Sequence, residues 1–204
     1  MASESERIVG LYEHHARSWD ADRRRARFVE QEWLDKFAAL LPPGGRVLDI
    51  GCGGSEPTAG YLIGRGFSVT GIDSAPTMIE LSRSRHPGQE WLVQDMRTLS
   101  LGRRFDGITA WDSFFHLAFD DQRRMFPIFR AHAAPGAPLL FSSGPRHGEG
   151  TGKYGGEPLY HASLAPDEYR SLLGANDFAV VAHVAEDPTC AGHTVWLALR
   201  GEQG

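Results

Sequence analysis

Residues 46–55 read Arg46-Val47-Leu48-Asp49-Ile50-Gly51-Cys52-Gly53-Gly54-Ser55, a short apolar run that carries one carboxylate and leads into a glycine-rich turn. The run has the pattern of a strand that is buried on both faces of a sheet. Glycine allows the chain to turn sharply and leaves bare backbone N–H groups open to a ligand. The segment therefore predicts a buried strand followed by a turn that binds a nucleotide-like cofactor.

A second apolar run, residues 67–72, ends in Asp73, which lies 22 residues after Gly51. This spacing predicts the next strand of a βαβ unit, and an acidic residue at its end can accept hydrogen bonds from both ribose hydroxyls. A dinucleotide-binding turn would require glycine at position 56, where this chain has Glu56. Asp49 also stands two residues before the first glycine, where dinucleotide folds have an apolar residue. The turn therefore favours a cofactor other than NAD.

The run from Val47 to Gly53 resembles motif I of the class I S-adenosylmethionine-dependent methyltransferases. The resemblance continues, in the order of that family, across residues 46–142. Its further motifs are Gly71-Ile72-Asp73, Val93-Gln94-Asp95-Met96, and Phe105-Asp106-Gly107-Ile108 leading into Trp111-Asp112.

The resemblance implies S-adenosylmethionine as the cofactor and S-adenosylhomocysteine as the product. Within the family pattern, Asp49 belongs to the methionine end, Asp73 to the ribose and Asp95 to the adenine amino group. An aromatic residue in the N-terminal segment can shield the sulfonium. The implied cofactor contacts are Tyr12, Trp19, Asp49, Gly51, Cys52, Gly53, Asp73, Ser74, Met78, Asp95, Met96 and Trp111.

The candidate catalytic residues are Asp112 and His116. Asp112 stands where base-amino methyltransferases continue with two prolines and an aromatic residue, but this chain continues with Ser113-Phe114-Phe115. The missing prolines argue against methylation of nucleic-acid bases. With an ordinary pKa, His116 could act as a general base or hydrogen-bond the substrate. It could equally be a structural histidine beside the core.

Strand and helix patterns alternate after residue 46, which predicts a parallel sheet covered on both faces. We expect a Rossmann-like α/β fold with a seven-stranded, mostly parallel sheet, an antiparallel C-terminal hairpin strand and an N-terminal helical cap. The predicted strands are residues 47–50, 67–72, 91–93, 105–111, 138–142, 178–185 and 193–199. The predicted helices after the cap are residues 57–65, 76–85, 121–133 and 166–174.

We expect one domain over residues 1–204, divided into a cap (1–45), a cofactor-binding core (46–142), a substrate lid (143–163) and a C-terminal helix and hairpin (164–204). The cap is expected to be helical with a break at residues 19–22. The glycine-rich lid is expected to be a long loop, either over the substrate or merely flexible. Substrate candidates are His14 and His15 in the cap and His147, Tyr154, Tyr160 and His161 in the lid.

The formal net charge is −5, from 21 basic and 26 acidic residues, so the composition shows no electrostatic footprint for nucleic acid. The one basic cluster, residues 23–27, is interpreted as the solvent face of a helix, with a phosphate-binding patch as the alternative. Two cysteines make neither a disulfide framework nor a metal site. No secretory signal and no membrane-spanning run is apparent, so the sequence predicts a cytoplasmic protein without a membrane partner.

The sequence therefore predicts methyl transfer from S-adenosylmethionine to an oxygen or nitrogen of a small-molecule acceptor by in-line displacement. Orientation of the two reactants can supply most of the catalysis. Two alternatives stay open, namely a non-catalytic S-adenosylmethionine-binding regulatory module and a protein or RNA methyltransferase.

Overall fold

Five parallel strands form one side of a seven-stranded sheet in the computed structural model, which describes residues 4–202. They are β1 (Arg46–Ile50), β2 (Ser68–Asp73), β3 (Glu90–Val93), β4 (Gly107–Ala110) and β5 (Pro138–Ser143). A separate two-stranded hairpin follows, made of β6 (Gly148–Tyr154) and β7 (Glu157–Ser163), and the chain then returns to the sheet with β8 (Phe178–Asp187) and β9 (His193–Arg200). The strand order is β3-β2-β1-β4-β5-β9-β8, and β9 runs antiparallel to both of its neighbours. The predicted mostly parallel sheet with an antiparallel hairpin strand is confirmed.

Helices cover both faces of the sheet, because the central strands bury side chains on both sides. In β1, Leu48 and Ile50 pack into one core cluster with Phe126 and Tyr169, while Val47 packs into the other with Phe37. Residues 4–202 contain six α-helices, namely α1 (Glu4–Arg25), α2 (Gln31–Ala38), α3 (Thr58–Gly64), α4 (Pro76–Arg85), α5 (Phe119–His132) and α6 (Pro166–Ala175). Helices α3 and α4 follow the first two strands.

The predicted helix break at residues 19–22 was wrong, because α1 is continuous to Arg25 and the chain leaves the helix at residues 26–30. No glycine or proline interrupts residues 19–22. In addition, Asp20 is buried on the inner face of the helix and accepts hydrogen bonds from Arg85 at 2.6 and 2.5 Å. This ion pair stabilises the helix at the point where the sequence pattern suggested an end.

The expected loop at residues 143–163 also proved wrong in structure, since most of it forms the β6–β7 hairpin. Every residue of β6 except Tyr154 is exposed, so the strand lacks the buried alternation by which strands are recognised in sequence. β7 holds the hairpin in place, because Leu159, Tyr160 and Ala162 pack against Ile8 and Leu11 of α1.

Helix α1 and the hairpin thus lie together over the carboxyl edge of the parallel strands, where open α/β sheets bind ligands. Ala16 of α1 packs on Ala75 and Met78 at the start of α4. Arg85, at the end of α4, joins Asp20 to the carbonyl oxygen of Gly54 in the glycine-rich turn. Across residues 4–202, no helix combines the length and apolar character that crossing a membrane would require.

We predict that Asp20→Ala lowers the free energy of unfolding by up to about 3 kcal/mol, because Arg85 would lose the carboxylate that compensates its charge. Arg85 is 21% exposed, which places the effect at the low end for buried ion pairs. Urea denaturation measures the change.

Glu32→Ala is the matched control, since it breaks an exposed ion pair with Lys36. Its effect should stay within about 1 kcal/mol. Equal losses in the two variants would show that the Asp20–Arg85 pair does not anchor α1.

Candidate functional site

The glycine-rich turn after β1 is packed too closely for a side chain at its first position. Gly51 has φ +76°, and a Cβ there would lie 2.3 Å from the Cβ of Ser113. The N–H of Gly51 donates to the carbonyl oxygen of Ile72 at 2.8 Å, and the Ser113 hydroxyl donates to that of Ile50 at 2.7 Å. The turn is therefore held between the ends of β2 and β4.

Asp73, the last residue of β2, fixes the other side of the turn. Its carboxylate accepts hydrogen bonds from the backbone N–H of Gly53 at 3.0 Å and of Ala75 at 2.9 Å. Burial raises the pKa of Asp73, although these two hydrogen bonds act in the opposite direction. Because a carboxylate offers about four lone-pair sites, Asp73 can still accept further hydrogen bonds from a ligand.

A single cavity lies above this turn, with a volume of about 1150 Å³ including its open mouth. Its walls come from α1, the glycine-rich turn, the ends of β2, β3 and β4, and the start of α4. All fourteen candidate residues line it: Tyr12, Trp19, Asp49, Gly51, Cys52, Gly53, Asp73, Ser74, Met78, Asp95, Met96, Trp111, Asp112 and His116.

Asp49 is a buried carboxylate at the base of the cavity. It accepts a hydrogen bond from the Thr109 hydroxyl at 2.7 Å. Burial raises the pKa of Asp49 to about 6, against the opposing effect of Thr109, and the nearby charge of Asp73 adds to the rise. A cation bound in the cavity would favour the ionised form of this group.

Asp95 is held by a neighbouring arginine, which the sequence pattern did not indicate. Its carboxylate accepts hydrogen bonds from the Arg97 guanidinium at 2.6 and 3.0 Å and from the Arg97 backbone N–H at 2.9 Å. These hydrogen bonds, led by the side chain of Arg97, lower the pKa of Asp95. Asp95 is therefore an ionised acceptor whose orientation is fixed before any ligand binds.

Asp112 forms an ion pair with His193, a residue that the sequence analysis missed. The Asp112 carboxylate lies 3.1 Å from His193 Nε2 and also accepts from the Ser142 hydroxyl at 3.1 Å. The hydrogen bond to Asp112 raises the pKa of His193 to about 9. Burial tends to raise the pKa of Asp112, but His193, the charge of Arg23 and the hydrogen bond from Ser142 together leave it below its ordinary value. The two residues lie 81 positions apart, so no local motif could reveal them.

Both ring nitrogens of His116 are engaged in hydrogen bonds. Nδ1 lies 2.7 Å from the carbonyl oxygen of Tyr160 and Nε2 lies 2.8 Å from the Tyr12 hydroxyl. Because a carbonyl only accepts, His116 carries its proton on Nδ1 and Tyr12 donates to Nε2. Burial lowers the pKa of His116 to about 4. His116 thus holds the Tyr12 hydroxyl in place, and direct proton transfer from the acceptor to His116 stays a prediction.

Two hydrogen-bond donors on the cavity wall, Arg23 and the indole N–H of Trp111, were not predicted as donors from the sequence. Arg23 reaches from α1 to the buried carboxylate of Glu30, so its interpretation as part of a solvent face was wrong, whereas Arg24, Arg25 and Arg27 are exposed. The indole N–H of Trp111 is buried and has no hydrogen-bond partner within residues 4–202. Both groups are donors.

The remaining histidine and tyrosine candidates lie outside the cavity. His14 and His15 both contact Glu157 at the tip of the hairpin. His161 packs beside Phe115, and His147 stacks on Phe119. Tyr154 donates to Asp22, and Tyr160 donates to Glu149. None of them therefore lines the cavity above the glycine-rich turn.

The sequence is similar to known methyltransferases. A family model described as a methyltransferase domain matches residues 19–183. A ubiquinone biosynthesis O-methyltransferase from Xanthomonas campestris pv. campestris is 33% identical over 142 residues, which cover 62% of this chain and 56% of that protein. The first curated relatives are matched over 38% and 56% of their own length, so the chain spans about half of them.

Two solved structures share the fold. An amino pentose methyltransferase from Micromonospora echinaspora, with bound S-adenosylmethionine, has a TM-score of 0.71 at 22% identity, covering 90% of this chain and 96% of that chain. A 1,6-didemethyltoxoflavin-N1-methyltransferase from Burkholderia thailandensis, with bound 1,6-didemethyltoxoflavin and S-adenosylhomocysteine, has a TM-score of 0.73 at 19% identity, covering 98% and 91%.

We predict that Gly51→Ala destabilises the ligand-free protein by roughly 2–5 kcal/mol, because left-handed strain and overpacking against Ser113 add together. Gly53→Ala is the matched comparison, since Gly53 also has positive φ but a Cβ there meets nothing within 4 Å. Gly53→Ala should lower the free energy of unfolding only by the cost of the left-handed backbone, about 1–2 kcal/mol. Chemical denaturation measures both, and equal losses would contradict the close packing of Gly51.

A second prediction concerns pH. A raised folded-state pKa makes the His193 contribution complete below the unfolded pKa and lost as pH rises through about 9. The stability difference between wild type and His193→Gln should therefore shrink by about 1–3 kcal/mol between about pH 6 and about pH 9.5.

The control is His183→Gln. Burial lowers the pKa of His183, so its contribution should not shrink over that interval. Denaturation curves at the two pH values measure these differences. A constant difference for His193→Gln would show that the Asp112–His193 ion pair does not form.

Proposed function

The chain belongs to the methyltransferase-domain family, and from that membership we propose that it transfers a methyl group from S-adenosylmethionine to an oxygen or nitrogen of a small-molecule acceptor. The observation that carries the proposal is the single cavity that joins the glycine-rich turn to Asp49, Asp73 and Asp95. The relatives and neighbours described above include O- and N-methyltransferases of small molecules. A cytoplasmic location is part of the proposal.

The acidic residues of the cavity account for the binding of the nucleoside part. Asp73 would accept hydrogen bonds from the ribose hydroxyls with the lone pairs that Gly53 and Ala75 leave free. Asp95, held by Arg97, would accept from the adenine amino group. Two hydroxyl donors on one ionised carboxylate give both strength and geometric selectivity.

The methionine part has a positive sulfonium, a positive ammonium and a negative carboxylate. Asp49 and Asp112 supply negative charge for the two cationic groups. Arg23 and the unpartnered indole N–H of Trp111 supply donors for the carboxylate. Burial of Trp111 without a partner is costly in the free protein, so a ligand oxygen that accepts from it would gain affinity.

When bound, S-adenosylmethionine would supply an electrophilic methyl group. An acceptor lone pair held in line with the carbon–sulfur bond would take that methyl group as the bond breaks, and the electron pair of the broken bond would stay on the sulfur of S-adenosylhomocysteine. A hydroxyl acceptor becomes strongly acidic as its oxygen is alkylated, so the ionised carboxylate of Asp112 suffices to take its proton. His193 keeps Asp112 ionised, and His116 holds the Tyr12 hydroxyl in place.

Incubation with S-adenosylmethionine labelled in its methyl group tests the proposal. The protein is mixed with an extract of small metabolites, and labelled products are identified by mass spectrometry. A labelled small molecule formed only in the presence of protein is the expected result. Binding of S-adenosylhomocysteine without any transfer would favour the non-catalytic regulatory module instead. Label found only in protein or RNA would contradict a small-molecule acceptor.

We predict that Tyr12→Phe and His116→Asn each lower the rate of methyl transfer by roughly 5- to 150-fold, the effect of about 1–3 kcal/mol from one lost buried hydrogen bond. The double variant should be no slower than the slower single variant, because both changes break the same contact. Single-turnover rates at saturating cofactor measure the effect.

The pH profile separates positioning from proton transfer. With the pKa of His116 at about 4, its titration gives the rate no inflection near neutral pH. An inflection near the ordinary histidine pKa of about 6.5 that disappears in His116→Asn would make His116 the general base after all.

A further inference from the structure

The tip of the β6–β7 hairpin meets α1 at a cluster of two histidines and one glutamate. His14 Nδ1 lies 2.9 Å from Glu157 Oε1, and His15 Nε2 lies 2.8 Å from the same oxygen. The two imidazole rings stack with their centroids 4.5 Å apart. None of these three residues lines the cofactor cavity, and the proposed methyl transfer uses none of them.

We propose that His14, His15 and Glu157 form a binding site for a divalent transition-metal ion, with zinc as the expected ion. Imidazole nitrogens and a carboxylate oxygen are ligands that zinc prefers, and three protein ligands with one open position suit a four-coordinate ion. The three ligand atoms all lie within 4.8 Å of one another. Tetrahedral zinc spaces its ligand atoms about 3.3 Å apart. Each ring nitrogen would therefore move about half an ångström away from Glu157 Oε1 to bind the ion.

The turn of the β6–β7 hairpin packs against His15 and limits the movement of its ring. Gly155 has φ +57°, and a Cβ at that position would lie 2.3 Å from Cε1 of His15. Glycine therefore lets the turn press directly against the imidazole. Tyr154 contacts the same ring edge-on, with centroids 5.4 Å apart, and its hydroxyl is anchored on Asp22 at 2.9 Å. His15 is thus held in orientation by packing.

His14 lies at the surface and leaves the proposed site open to solvent. The side chain of His14 is 71% exposed, which leaves room for an ion to enter and for water to take the fourth position. Each ring directs a nitrogen at the Glu157 carboxylate, so the three candidate ligand atoms already converge.

A bound ion would join two segments that are distant in sequence, since Glu157 lies 143 positions after His14 and 142 after His15. One is α1, which carries Tyr12 and Trp19 of the cavity wall, and the other is the hairpin. The ion would therefore stabilise the closed arrangement of cap and hairpin. Ligands that bind only the folded state also raise the melting temperature.

The experiment uses full-length protein without a polyhistidine tag and zinc chloride as the probe. Zinc affinity is measured by competition with a chromophoric chelator, together with thermal melting with and without zinc. The expected result is one zinc per chain and a higher melting temperature with zinc. Glu157→Gln should weaken zinc binding by roughly tenfold or more and reduce the thermal shift accordingly.

Glu186→Gln is the matched control, since Glu186 is an exposed acid on β8, and it should bind zinc like the wild type. His14→Ala, at an exposed position, gives an independent test should Glu157→Gln fold poorly. Equal zinc affinity in wild type and His14→Ala, or no zinc binding by the wild type, would overturn the proposal and leave a hydrogen-bonded clamp.

Discussion

The close approach of Gly51 to Ser113 is the constraint on which the rest of the site depends. A side chain at position 51 would collide with Ser113, so β1 can turn at this point only with glycine. The turn then presents Gly53 to the Asp73 carboxylate, and the same carboxylate accepts from Ala75 at the start of α4. Three parallel strands thereby end around one small volume. The backbone geometry of this turn thus sets the floor of the cavity, over which α1 and the hairpin lie.

The charges of the site are arranged for a ligand that is itself positively charged. Asp49, Asp73 and Asp112 are acidic residues of one cavity, and their partial or full removal from water raises the pKa values of Asp49 and Asp73. Asp112 escapes this rise through its ion pair with His193. A sulfonium and an ammonium would compensate these carboxylates. Different interactions hold α1 and the hairpin over the cavity. Apolar packing and the Asp20–Arg85 ion pair hold α1, and hydrogen bonds from His14 and His15 to Glu157 hold the hairpin.

Most of the sheet and the floor of the cavity could be predicted from the sequence, because strand burial and glycine-rich turns are local signals. Asp49, Asp73 and Asp95 lie within or just after recognisable strand patterns, and the structure brings all three to one cavity. Long-range contacts gave no such signal. The Asp112–His193 pair, the arginine that holds Asp20, and the hydrogen bond between Tyr12 and His116 join residues 65 to 104 positions apart. The hairpin escaped prediction because β6 is almost wholly exposed and lacks an apolar pattern. The pKa of His116 could not be foreseen either, since it depends on burial created by the cap and the hairpin.

Calorimetric titration of the wild-type protein with S-adenosylhomocysteine, and separately with NAD, tests the central claim most directly. The cavity above Gly51 and Asp73 is expected to bind S-adenosylhomocysteine with one site per chain and to give no heat with NAD. Glu56 stands where a dinucleotide turn needs glycine, and it occupies part of the cavity wall. Saturable binding of NAD with no response to S-adenosylhomocysteine would contradict the account.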